Sequence, residues 1–311
     1  MALAPPPLRR TVRYGLPAAR PLRLEYLESR SLLSTLATWD PLGNSTDFCG
    51  NHNWDVGNLS QTSWPDKGIA VFPAGATPTT VTVTSNIEAD GIDFEQTGFV
   101  IAAASGAAIS LPAEASPADF TVASAATATI SSPIGGTGSP AKVGGGTLLV
   151  SGSLNVGSSS ITVSAGQLQV QSGGSITAHG LTISDGATLV GSGTISIDGG
   201  GLHYDSSAAS TFAGAITGAG GVVLDSGTTG SLTLSNTNNT YTGDTTVDAG
   251  SLIVSGRVGT GTAPTGDVVA DNAATLEVDG SLTAQSVTIQ DSAVLAGGRS
   301  GAERQHLQTA A

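Results

Sequence analysis

The sequence predicts an all-β chain wound as a right-handed parallel β-helix, a solenoid with about 20–22 residues per coil. Three observations carry this. First, one phrase recurs: an apolar–polar–apolar alternation, a Gly or Ala turn, and a second alternation. Copies stand at ITVSAGQLQV from Ile161, LTISDGATLV from Leu181, TTVDAGSLIV from Thr245, DVVADNAATLEV from Asp267 and SVTIQDSAVLAG from Ser286. One anchor per copy gives Val83, Ile101, Val122, Val143, Val163, Ile183, Tyr204, Leu224, Val247, Val269 and Ile289, spaced 18 to 23 residues apart. Such a period marks a coil that buries its apolar face only by stacking on its neighbours. Second, the alternation has period two, the signature of strands. Third, only 4% of residues are aromatic and 43 are Gly, which suits a narrow core of Val, Ile, Leu and Ala better than a large globule.

Within a coil the pattern assigns sides. In ITVSAGQLQV, Ile161, Val163, Leu168 and Val170 point inward, while Thr162, Gln167 and Gln169 point out. About twenty residues accommodate three short strands and three bends. Regular apolar anchors and a positive mean hydropathy of +0.15 argue against disorder in this Gly/Ser/Thr-rich region.

Four segments follow in order. Residues 1–37 hold six of the eleven basic residues and read as an export-type or disordered segment. No uninterrupted apolar stretch follows the arginines, so neither an ordinary signal peptide nor a twin-arginine signal is complete, and no run of 18 apolar residues encodes a membrane helix. Residues 38–75 contain all three tryptophans, Trp39, Trp54 and Trp64, with Phe48 and Phe72, and read as an N-terminal cap over the first coil; an aromatic sugar-binding platform is the alternative. Residues 76–298 form the repeat region. In residues 299–311 the alternation stops, and this tail reads as disordered or truncated.

Two stretches resemble known elements. LEYLESRSLLS, Leu24 to Ser34, resembles the Leu-Glu-Pro-Arg-x-Leu-Leu element that opens many large bacterial surface or secreted proteins; Leu27, Glu28, Arg30, Leu32 and Leu33 match and Ser29 replaces the proline. SLTLSNTNNTYTGDTTVDAGSLIVSG, Ser231 to Gly256, resembles the autotransporter-associated β-strand repeat. Leu232 and Leu234 stand at its first inward pair, Asn239, Thr240, Tyr241, Thr242 and Gly243 at its corner, and Thr246, Val247, Gly250 and Leu252 at its next strand and bend. The resemblance implies an exported passenger-type rod. Gly243 and Gly250 are expected to take positive φ, and the asparagines to stack as a ladder between coils.

Charge and motifs narrow the chemistry. From Trp39 to Ala296 only Lys67, Lys142 and Arg257 are basic, against twenty-one Asp and Glu, which leaves no basic stripe for nucleic acid. Cys49 and His52 have C-x-x-H spacing near Asp47 and Asp55, but no second pair completes a metal set. Same-face acids occur at Asp93 with Glu95 and at Glu277 with Asp279, the pairing an acid/base enzyme or a calcium site uses. His179 and His203 read as edge or turn residues, and the Asp-Gly pairs at Asp90, Asp185, Asp198 and Asp279 as turns. No catalytic residue, cofactor or metal ligand is assigned. The function expected is a non-enzymatic, extracellular or cell-surface structural and adhesive rod that presents Thr, Ser, Asn and Asp ladders to a polysaccharide matrix or another cell. The alternatives are a carbohydrate-active β-helix enzyme and a fragment of a larger passenger.

Overall fold

The computed structural model describes residues 35–297, apart from 41–44, 51–52, 58, 66, 114–118 and 263, together with the backbone of the strand His306–Thr309. The element resembling Leu-Glu-Pro-Arg-x-Leu-Leu and residues 1–34 of the expected export or disordered segment lie outside the described residues; its last residues do not, since Leu36 and Ala37 belong to the first strand, Leu36–Trp39, with Ala37 fully buried. The chain is an all-β parallel solenoid of three faces. Face A is an eleven-stranded sheet running from Thr80–Val83 to Val294–Ala296, one strand per coil. Faces B and C alternate along a second sheet, and strands such as Ser175–Ser184 and Thr194–Asp205 turn the corner from B to C. Ten strand intervals of about 4.8 Å make face A ~50 Å long.

Burial follows the alternation. On face A, Leu148, Leu168 and Leu189 stack inward in register, as do Ile130, Val150 and Val170, while Thr147, Gln167 and Thr188 stack outward. On face C, Phe120, Lys142, Val163, Ile183, Tyr204, Leu224, Val247, Ala270 and Ile289 form one inward column. The expected anchors Val163, Ile183, Val247 and Ile289 therefore share one environment.

Other anchors differ. Val83 and Ile101 lie on face A, whereas Val122 and the later anchors lie on face C. Val143 pairs with Thr121 and Val269 with Thr246, so both valines point outward; Lys142 and Ala270 take the inward places. In AKV and VVA strands, apolar residues flank the phase boundary, and alternation alone does not decide which side faces the core.

Lys142 is 1% exposed. Its Nζ donates to the carbonyls of Val143 at 3.0 Å, Gly144 at 2.6 Å and Ala165 at 2.9 Å, tying the C-to-A corner of one coil to the next. Three acceptors match the three protons of an ammonium. Burial nevertheless pulls its pKa down to about 8.

At the N-terminal end, Leu36–Trp39 pairs parallel with Gly68–Phe72 on one side and antiparallel with Trp54–Val56 on the other. The parallel ladder thereby ends in an antiparallel strand. Trp39, Trp54, Trp64, Phe48 and Phe72 pack edge-on or tilted, with centroids 4.8 to 6.4 Å apart. Phe72 then stacks on Phe94 of the first coils at 5.2 Å and 12°. All five are buried, so the rings cover the core's cross-section and present no open platform to a sugar. At the other end, His306–Thr309 pairs in parallel with Ser281–Ala284, so face B continues into the segment expected to be disordered or truncated.

Candidate functional site

The Ser231–Gly256 stretch is the natural place to look for a site, and its residues turn inward. Leu232, Leu234, Val247 and Leu252 are core residues, each at most 1% exposed. Asn239 replaces a face-B strand at the corner. Its Oδ1 accepts from the Ile216 N–H of the coil before at 3.1 Å, and its Nδ2 donates to the carbonyls of Asn236 and Arg257 at 2.9 Å each. The amide thus spans three levels of the stack through backbone groups. This replaces the expected asparagine ladder: a single buried amide accepts from the Ile216 N–H and adds a second donor to two carbonyls that already accept a backbone N–H.

Asn239→Ala is expected to cost about 2 kcal/mol, since it leaves the buried Ile216 N–H without its acceptor and removes a second donor from the Asn236 and Arg257 carbonyls. Equilibrium denaturation of the full chain checks this. A change below about 0.5 kcal/mol would mean that water or a local shift replaces the amide.

Beside it, the Tyr241 hydroxyl shares a 2.8 Å hydrogen bond with Thr245 Oγ1, and Thr265 Oγ1 donates to the Gly243 carbonyl at 2.8 Å. Burial pushes Tyr241 up to about 12, while its bonds to Thr245 and Thr265 pull the other way. Thr240 is half-buried at the same corner. Gly250 has φ +70°, as expected. Gly243 does not take positive φ; a Cβ there would meet the Gly220 carbonyl carbon and Gly221 N at 2.5 Å, so close approach of two coils requires the glycine.

The two acidic pairs stand at opposite ends of the stack, and Asp93 and Glu95 are electrostatic neighbours within theirs. Asp93 points outward between Val71 and Thr121, and its carboxyl is pushed up by burial and then by the neighbouring Glu95 charge. Glu95 Oε2 accepts from Ala74 N at 2.8 Å. Glu277 stands on face A between Ile253 and Ala296, eight coils from the Asp93 level, or ~40 Å away.

His203 is a strand residue rather than an edge or turn one. It faces out between Thr182 and Val223, and its Nδ1 lies 3.1 and 3.2 Å from the Asp225 carboxylate oxygens. The pair was detectable in the sequence: the residues stand 22 apart, one coil period. His179 is likewise exposed in a strand, where the register shifts between Ala178 and Gly180. Asp90 and Asp198 also lie within strands, whereas Asp185 takes φ +53° in a turn.

Cys49 is half-buried, with Sγ 3.7 Å from the Ser85 carbonyl; Asp47 accepts from Cys49 N and Thr84 Oγ1, and His52 lies outside the described residues. Among the described residues no group of three or more His, Cys, Asp or Glu is placed to hold a metal ion, and no helix is long and apolar enough to cross a membrane. No protein family, curated protein or solved structure matches the chain.

What the geometry offers is its outer surface. Face A presents two in-register columns of mostly hydroxyl, amide and small aliphatic side chains. The corner after face C stacks Asp205, Asp225, Asp248 and Asp271 on successive coils.

Proposed function

We propose that the chain is a non-enzymatic structural and adhesive rod of a bacterial surface or secreted protein, working outside the cell. The observation that carries the reading is the stacking of face A over eleven strands, nine of which carry hydroxyl or amide side chains outward. A rod of this kind gains affinity by summing weak contacts along its length. The resemblance of Ser231–Gly256 to the autotransporter-associated repeat supports export and a passenger-type role, and a net charge of −13 keeps such a rod from lateral association.

The test is twofold. Purified full chain is expected to adhere to matrix polysaccharide or to cells, and to release no soluble oligosaccharide from a panel of neutral and acidic polysaccharides. Release that disappears in Asp93→Ala or Glu277→Ala would replace the rod by the carbohydrate-active enzyme. Recovery of the native protein solely from the cytoplasmic fraction would remove the extracellular role.

A further inference from the structure

Building on the rod reading above, we propose that the outer side of face A is the docking surface and that its partner is a neutral, extended polysaccharide. The first argument is charge. Nine successive face-A strands, from Thr80–Val83 to Ser251–Val254, carry no charged residue, in a chain with 24 Asp and Glu. The first charge on a face-A strand is Glu277. Acids gather instead at the neighbouring corner, at Asp205, Asp225, Asp248 and Asp271. A polyanion is repelled by that flank, and a polycation is drawn to the corner and away from the face. A neutral chain lies on face A without either effect.

The second argument is surface chemistry. One outward column reads Thr127, Thr147, Gln167, Thr188, Ala209, Ser231, Ser251 and Thr275. The next reads Thr129, Leu149, Gln169, Val190, Thr211, Thr233 and Ile253. Hydroxyls and amides are thus interspersed with aliphatic side chains, mainly in the second column, on a surface that rises about 4.8 Å per step. A pyranose chain has the same mixture, with C–H groups on its ring faces and hydroxyls at its edges. A crystalline lattice would call for one residue type repeated, and these columns mix several.

The remaining arguments exclude other occupants. Interior face-A strands use their backbone N–H and C=O groups in the ladder, so an added peptide strand finds no partner on this side. A folded protein partner is anchored by aromatic or Arg side chains, and neither column contains one. A second copy packed face to face would bury hydroxyls against hydroxyls in place of an apolar inner layer. With no aromatic anchor each level contributes little, so affinity depends on the number of coils engaged.

The experiment is retention of the full chain on insoluble cellulose and on immobilised galactomannan, with pectate as the anionic comparison. Wild-type protein is expected to be retained on the neutral polymers at both low and high salt and not on pectate. Cellotetraose should fail to elute it. The triple variant Thr129→Glu, Gln169→Glu and Thr211→Glu places a charge on every second coil of one column, and is expected to bind about tenfold more weakly or worse, because each carboxylate must be desolvated under the polymer. The control Thr162→Glu, Thr246→Glu and Thr288→Glu charges face C and should bind as wild type, with both triples checked by circular dichroism and thermal melting.

Equal loss in both triples, retention of the face-A triple, or wild-type binding to pectate alone would overturn the assignment. So would a wild-type dimer in sedimentation that the face-A triple dissolves, since a second copy would then occupy the face. If wild type ignores both neutral polymers yet still adheres to cells, this assignment falls while the adhesive rod stands. Oligosaccharide release lost in Asp93→Ala would remove the rod reading itself.

Discussion

Replacing Trp54 by alanine is expected to lower stability by about 3–5 kcal/mol, the range for deleting a large buried aromatic. Trp54 has no exposed surface and sits at the centre of the cap, 4.8 Å from Phe48, 4.9 Å from Trp64 and 5.1 Å from Trp39. Its indole N–H donates to the Phe48 carbonyl at 2.7 Å, and that carbonyl would lose this partner in the cavity. The consequence is directional. A solenoid transmits stability mainly between adjacent coils, so the amides of Thr80–Val83 and Ile87–Phe94, which lie next to the cap, should exchange faster in Trp54→Ala. Amides of Ser251–Val254 should be slowed or hastened only as global unfolding changes. Uniform acceleration along the whole chain would show that the rod melts as one unit and that the cap is no local device.

The same one-dimensional logic explains what was legible in the sequence. Strand type, coil period and the inward column through Val163, Ile183, Tyr204, Leu224 and Val247 follow from period-two alternation where a core residue stands beside a polar one, as Val163 beside Thr162, Ile183 beside Thr182, Tyr204 beside His203 and Val247 beside Thr246, while Leu224 beside Val223 is placed by the coil period. Phase failed where that contrast fails. Lys142 reads as an outward residue by chemistry, yet three carbonyls at the corner make an interior ammonium tenable. Ala270 was hidden behind two valines. Contacts between coils were the least legible, since His203 with Asp225 and Asn239 with Ile216 and Arg257 depend on register between strands and not on any local motif. Reading residues one coil apart as neighbours would have found the first pair. The backbone target of Asn239 carries no residue signature at all.

Two buried titratable groups make the pH dependence of stability a test of the core. Lys142 has its pKa pulled from 10.5 down to about 8 in the folded chain. Between those values the unfolded chain holds more protons, so stability rises with pH, by about 3 kcal/mol if the whole interval is realised. Tyr241 acts in the opposite sense. Its pKa is pushed from 10.0 up to about 12, so above pH 10 the folded chain keeps a proton that the unfolded chain gives up, and stability falls by a similar amount, about 3 kcal/mol. Wild-type stability should therefore climb from pH 8, crest near pH 10 and decline towards pH 12. Lys142→Met is expected to remove the climb and leave the decline, and Tyr241→Phe to do the reverse. Denaturant midpoints measured across this range in the three proteins isolate each slope, whatever constant offset a substitution adds. A climb that survives in Lys142→Met would mean that the three carbonyls hold the ammonium as firmly as water does, and that the buried charge costs the fold nothing.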